Sequence, residues 1–385
     1  MVTIRDVEVF VIDVPLQRPF HMASRAITRQ TEIIVKVHTD AGVVGIGSAH
    51  GTPLERVAEI IKKELAPLII GEDPRNTERL WQRMFQTTCA PRAANTATSG
   101  ASLPKGLGRP QVACAIGGID IALWDIAGQL SGRPVWQLLG GCRSRIPVYA
   151  TGGYYAEDED IKDLAGEFSG YVAQGYREVK LKAGRLSPEG DFERAKVVRE
   201  AIGPDIALYV DASQGWDVWD AVRAGRLYEQ LDVAWFEEPV HWYDDISGLA
   251  QVARHVRIPI TSGESEFTKQ GVRDLILHGH IAITNYDCTK AGGLTEGRKI
   301  AALAEAHNVR FAPHHAAHIH AHLAAAVPNG MNVELHPDPQ RDPLWERLFE
   351  KKPAIEGGEM VLDDTPGLGY ILDEGVMARV ATEVR

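Results

Sequence analysis

Apolar and polar positions alternate along the first fifty residues: Ile4, Val7, Val9 and Val11, then Ile33, Val35 and Val37, then 43–46 after Asp40-Ala41-Gly42. Period two with a turn at Ala41-Gly42 predicts a small antiparallel meander. Between its first two strands, 15–30 reads as a long loop holding Arg18, His21, Ser24 and Arg25. A loop of that length inside a meander points to function. From residue 54 the spacing turns helical, with Val57, Ile60, Ile61 and Leu65, a break at Gly71-Glu72-Asp73-Pro74, and a second amphipathic run with Leu80, Trp81 and Met84. The stretch 89–110 has almost no periodicity and reads as a surface loop, with a lid or a subunit contact as the other readings. A helix running from Val112 through Ile119, Leu123 and Ile126 to Gly128 is apolar nearly all round, so it should lie buried between layers.

From Ile146 onward short apolar runs alternate with amphipathic helical ones. Strands are predicted at 146–151, 178–183, 206–211, 233–237, 258–263, 281–286, 309–313 and 331–334, separated by helices such as 192–202, 221–231 and 296–307. Eight strands with parallel crossovers make a TIM-like α/β barrel, whose reactive groups gather at the C-terminal strand ends. The expected organisation is an α+β cap over 1–125, the barrel over 126–335, and a tail over 336–385 that returns to the cap.

Composition narrows the function classes. The formal net charge of -11 disfavours nucleic acid or an anionic membrane as partner. Four dispersed cysteines, Cys89, Cys114, Cys142 and Cys288, without a CxxC pair, read as buried free thiols in a reducing compartment. No apolar run is expected to reach membrane-spanning length, and no targeting segment opens the chain, so a cytoplasmic protein is expected.

The candidate chemistry sits at the strand ends. Asp211, Glu237 and Glu264 end three consecutive strands, and three carboxylates at one mouth repel unless a cation lies between them. An all-oxygen set suits Mg2+. Lys180 and Lys182 share one strand face, and the alternation Val179, Leu181, Ala183 puts that face in the lumen. Each should raise the cost of charging the other, leaving one able to act as a base. Asp287 and His314 end neighbouring strands and suit a carboxylate-oriented imidazole. The tract His314, His315, His318, His320, His322 has helical i,i+4 spacings open to zinc, but hard carboxylates already claim a metal, so His318 and His322 read as packing or cap residues.

These motifs together resemble the enolase superfamily, in its mandelate racemase subgroup, over almost the whole chain: Lys180-Leu181-Lys182, Val210-Asp211, Phe236-Glu237-Glu238-Pro239, Gly263-Glu264, Asp287 with Lys290-Ala291-Gly292-Gly293, His314 with Ala321-His322-Leu323, and Glu334. The resemblance implies a capping α+β domain over a (β/α)7β barrel and Mg2+ on Asp211, Glu237 and Glu264. It also implies proton abstraction next to a carboxylate by Lys182 on one face and the His314–Asp287 dyad on the other. A protonated Glu334 would donate to the substrate carboxylate. The muconate-cycloisomerase and dipeptide-epimerase branch would carry lysine where Asp287 stands.

Bases on both faces permit dehydration of an acid sugar to a 2-keto-3-deoxy acid, which is the reading taken, or racemisation or epimerisation of a 2-hydroxy acid. A non-catalytic metal-stabilised barrel is the reading from another class, and a scaffold has no need of both bases. Arg18, His21 and Arg25 in the capping segment, with Tyr154 after the first barrel strand, are expected to bind a polyhydroxy carboxylate, and a diacid would suit an arginine. Ser213 is also expected in the substrate site, where mandelate racemase has asparagine. A homo-oligomer is expected.

Overall fold

A computed structural model describes residues 2–88, 108–156 and 160–385. Cys89 and nearly all of the stretch 89–110 lie outside the described residues.

The N-terminal alternation forms an antiparallel sheet of β1 (Ile4–Met22), β2 (Arg25–Thr39) and β3 (Val44–Ala49). The stretch 15–30 is not a loop. β1 and β2 continue past an irregularity between Pro15 and Phe20 and meet at a two-residue turn, where Ala23 has φ +36°. The ribbon is held by a small apolar cluster of Leu16, Phe20 and Tyr154, with Met22 and Ile27 against it. The helices Leu54–Glu59 and Thr77–Phe85 cover the sheet, and their apolar faces join Val7, Val9, Val35 and Val37 in one core.

The long helix runs Arg109–Ser131, past Gly128, and ends where Gly132 takes φ +65°. It crosses β3 closely, because a Cβ on Gly45 or Gly47 would run into the carbonyl oxygens of Ala122 and Gly118. Contrary to expectation this helix is long and apolar enough to cross a membrane, with a mean hydropathy of 1.3, but 83% of that stretch is buried between sheet and barrel. It is a core helix, apolar all round because both neighbours are protein.

The barrel strands are β4 (Arg145–Gly152), β5 (Glu178–Lys182), β6 (Ala207–Asp211), β7 (Val233–Glu237), β8 (Ile260–Ser262), β9 (Ile283–Thr284), β10 (Arg310–Phe311) and β11 (Val333–Leu335). Each pairs in parallel with the next from β4 to β10, and β11 pairs with β4. The seam between β10 and β11 is closed by the single bridge Phe311–Gly330. β9 and β10 form ladders of two residues only, shorter than their apolar runs suggest.

Register stacks the lumen in layers. Lys180 is level with Tyr209, and Lys182 is level with Asp211, which is level with Glu237. Because side chains alternate, Tyr209 and Trp235 lie directly beneath Asp211 and Glu237 and fill the lumen with Tyr149. The Tyr209 and Trp235 rings stack at 3.6 Å. This plug floors the charged layer and shuts water out from below.

The tail first packs on the barrel, where Glu359–Val361 runs antiparallel to the start of β4. It then forms the helix Glu374–Val380 and the strand Ala381–Glu383, which pairs with β1. Asp125 ties these parts together: its buried carboxylate accepts from the Ile46 N–H at 2.9 Å on the cap and the Leu368 N–H at 2.8 Å on the tail. Cys114 and Cys288 are buried free thiols, but Cys142 is exposed, because it lies in the turn entering β4.

Candidate active site

The strand ends of the barrel and the β1–β2 ribbon enclose a cavity of about 330 Å³. Lys182, Glu264 and His314 line it from the barrel, and Phe20, Met22 and Arg25 from the ribbon.

On the β5–β7 side, Lys180 Nζ lies 3.0 Å from Glu237 Oε1, 2.8 Å from Glu334 Oε1 and 3.9 Å from Asp211 Oδ2. Lys182 pairs with Asp211. Burial works against charge on both lysines, yet the carboxylates of Glu237 and Glu334 around Lys180, and of Asp211 beside Lys182, hold both ammonium groups above their ordinary value. This corrects the expectation that mutual repulsion frees one of them: each has a nearer anion than the other lysine. Asp211 Oδ1 also accepts from the Ser213 N–H at 2.6 Å, and Ser213 takes φ +45° to reach it.

Glu334 accepts from Thr151 Oγ1 at 2.7 Å and from the His315 N–H at 3.0 Å. Burial pushes its carboxyl up, but Lys180, His314 and His336 outweigh that and hold it well below the usual range. Glu334 is therefore a carboxylate in this state and accepts hydrogen bonds, rather than being the protonated donor expected.

Opposite, His314 Nδ1 meets Asp287 Oδ2 at 2.9 Å. Asp287 Oδ1 accepts from the Thr289 N–H at 2.8 Å and the Thr289 hydroxyl at 2.6 Å. His314 Nε2 then faces Glu264 at 3.4 Å and Glu334 at 3.7 Å. The rest of the histidine tract does not converge. His320 Nδ1–H donates to the His315 carbonyl and its Nε2 accepts from the Cys288 N–H. His322 bridges the Trp136 N–H and the Leu368 carbonyl.

Asp211, Glu237 and Glu264 lie at or just past the ends of β6, β7 and β8 and offer oxygen donors of the kind a hard divalent cation takes, two of them here paired with Lys182 and Lys180. Burial, and then the charges of Asp211, Glu264 and Glu334, push Glu237 up despite Lys180, whereas His314 and Lys290 hold Glu264 down to about 2 despite its burial. Asn285 braces the set, with Nδ2 at 3.0 Å from Glu237 Oε1 and 3.4 Å from Glu264 Oε2, and Oδ1 accepting the Glu264 N–H.

Of the capping residues, the structure brings Arg25 to the cavity, and Tyr154 and Ser213 line it from the barrel. Arg18 and His21 are not among the lining residues. His21 is one residue out of phase with Phe20 and Met22, and its backbone instead pairs with Tyr155. Residues that the strand-end pattern passes over also line the cavity: Gln214, Glu238, Lys290, His50, His336 and Arg341. Lys290 lies 3.5 Å from Glu264, and burial raises Glu238 to about 8 while Gln214 donates to it at 2.6 Å. Alternation was the available signal for His336, which shares parity with Glu334.

Residues 6–140 match the family described as mandelate racemase / muconate lactonizing enzyme, N-terminal domain, and residues 163–376 match the enolase C-terminal domain-like family. An arabinonate dehydratase of Saccharolobus solfataricus is 33% identical over 353 residues, covering 89% of each chain. A D-galactarolactone cycloisomerase of Agrobacterium fabrum is 31% identical, covering 94% of each. A solved mandelate racemase/muconate lactonizing enzyme from a marine actinobacterium, in complex with magnesium, superposes with a TM-score of 0.87 at 31% identity, over 99% of this chain and 100% of that one. The chain is thus similar along its length to a dehydratase, to a cycloisomerase and to a family member solved with magnesium.

Proposed function

Because the chain belongs to the mandelate racemase subgroup of the enolase superfamily and is an enzyme using Mg2+, we propose that it dehydrates an acid sugar, an aldonate or aldarate, to a 2-keto-3-deoxy acid. The observation that carries this reading is a proton-transfer group on each side of one polar cavity. Lys182 enters from β5 and His314 from beyond β10, three places apart around the ring through β4 and β11.

In this reading Asp211, Glu237 and Glu264 hold Mg2+, with Asn285 and Ser213 fixing their oxygens. The bound ion supplies positive charge beside the substrate carboxylate and lowers the cost of the second negative charge that forms when the α-proton leaves. Lys180, between Glu237 and Glu334, adds a buried cation to the same region. Lys182 can accept a proton only when Asp211 is engaged elsewhere, since that carboxylate otherwise keeps the ammonium charged. One of Lys182 and His314 takes the α-proton, and the other delivers a proton to the β-hydroxyl, which leaves as water. The resulting enol tautomerises to the 2-keto acid. Arg25, with the hydroxyl and amide groups of Thr31, Thr52, Gln30 and Gln214, supplies hydrogen-bonding partners for a polyhydroxy chain. The same pair of groups favours a second reading: if the second group returns its proton to the α-carbon, the product is an epimer.

The test is a screen of mono- and diacid sugars with Mg2+, detecting 2-keto acids as semicarbazones, alongside the double variant Lys182→Ala, His314→Asn. Keto acid from the native chain and none from the variant is expected. α-Deuterium uptake from D2O without keto acid would replace dehydration by epimerisation. A homo-oligomer fits Trp219, Trp242 and Tyr243, each 65% exposed or more. Light scattering at the mass of one 42.2 kDa chain would refute it.

A further inference from the structure

On the cavity wall away from the three carboxylates, three groups from separate loops converge. His315 follows His314 beyond β10, His336 lies just beyond β11, and Asp342 caps the helix Pro343–Arg347. One ligand atom from each lies within 4.8 Å of the others, the one such group of His, Cys, Asp or Glu among the described residues. We propose that His315, His336 and Asp342 form a second metal site, specific for a borderline divalent ion such as Zn2+ or Co2+, and that filling it blocks the substrate cavity.

The donor set decides the metal. Two imidazoles and a carboxylate suit zinc, cobalt or nickel, whereas Mg2+ seeks oxygen and keeps its waters. Donors around a tetrahedral ion at 2.0–2.1 Å stand about 3.3 Å apart, so these groups have to draw together by up to about 1.5 Å to close on one. Two of the three donors are already braced. Asp342 Oδ1 accepts the Leu344 and Trp345 N–H groups at 3.2 and 3.1 Å, which leaves Oδ2 for another partner. The His315 backbone is pinned at both ends, its N–H on Glu334 and its carbonyl under His320 Nδ1–H.

Those bonds hold His315 and Ala316 at φ +55° and +40°, two successive non-glycine residues in the left-handed region. Such strain costs on the order of 1–3 kcal/mol per residue and persists where a site needs it. Here it sets the His315 ring 5.4 Å from that of His336. Burial keeps both rings neutral, His336 down to about 4, so their lone pairs are available near pH 7. The inhibitory consequence follows from position. All three groups line the main cavity, and His336 Nε2 is 3.7 Å from Glu334, where the substrate must lie.

Metal binding can be tested without knowing the substrate, so it stands or falls apart from the dehydratase reading, on which only the blocking of the cavity rests. The full chain in excess Mg2+ is titrated with Co2+, reading visible d–d absorption and stoichiometry. One Mg2+-resistant Co2+ per chain is expected. His336→Ala and Asp342→Asn should each weaken it at least about tenfold. Asn at 342 keeps the helix cap while removing the anionic ligand, and so answers for a His336 variant that fails to fold. Asp211→Asn should leave the Mg2+-resistant signal in place. Cobalt fully displaced by Mg2+, binding unchanged in both variants, or loss confined to Asp211→Asn would overturn the proposal.

Discussion

Replacing Asp287 by Asn removes one charge and almost no volume, and the surroundings dictate what the new amide must do. The Thr289 backbone N–H can only donate, and it points at Asp287 Oδ1 from 2.8 Å. The amide oxygen must therefore stay there, which turns the NH2 group toward His314 Nδ1 at the 2.9 Å contact. His314 Nδ1 then has to accept, so the ring proton moves to Nε2, the nitrogen that faces Glu264, Glu334 and the cavity. The imidazole is left with its proton where its lone pair is needed. Losing a charge-assisted hydrogen bond costs about 1.5–3 kcal/mol, or roughly 10- to 150-fold in rate. A base in the wrong tautomer forfeits the 10²–10⁴-fold that general-base catalysis typically supplies. Turnover of Asp287→Asn should therefore fall between about 10² and 10⁴-fold. The assay is 2-keto acid formation and α-hydrogen exchange in D2O on an active sugar acid. A variant within about threefold of the native chain would refute the tautomer argument and remove His314 from the proton-transfer step.

Three other outcomes follow from buried charge. Burial lifts Glu32 from 4.5 to about 8 against its Ser48 hydrogen bond, so the stability it contributes is full below about pH 4.5 and is lost as pH rises through 8. Glu32→Gln should flatten the fall in unfolding free energy between pH 4.5 and 9 by on the order of 4 kcal/mol, and an unchanged slope would sink that assignment. Asp125→Ala strands the Ile46 and Leu368 N–H groups and should cost about 2–6 kcal/mol by chemical denaturation, with less than 1 kcal/mol contradicting the role of Asp125 in joining cap and tail. Mg2+ at about 100 times its Kd should stabilise the native chain by about 2.7 kcal/mol and Asp211→Asn far less, whereas equal stabilisation would put the ion elsewhere.

The barrel was legible because its apolar runs are short, repeat at one spacing, and end in single polar residues that share a face with the aromatic plug. Asp211 and Glu237 are conspicuous for that reason, each two residues beyond Tyr209 or Trp235. The ribbon was not legible, since Pro15 and Pro19 interrupt its alternation and the turn at Ala23-Ser24 lacks the Asn-Gly or Gly that usually marks a hairpin. Its phase is set by Phe20 packing on Tyr154 at 4.3 Å, a tertiary contact, and that phase sends His21 away from the cavity. Asn285 hid inside a predicted strand and matters only because the ladder stops at Thr284. The charge on Glu334 could not be read from sequence either, because it depends on Lys180 reaching across the lumen.

The pairing of Ala381–Glu383 with Phe10–Ile12 has a consequence for biogenesis. Until synthesis has passed residue 383, β1 presents an open edge of the kind that recruits other strands. A nascent or truncated chain would thus have a nearly finished barrel beneath an unfinished roof, and would be prone to self-association through that edge. Joining 381–383 to β1 makes completion of the enclosure wait on a segment that follows the whole barrel in the chain.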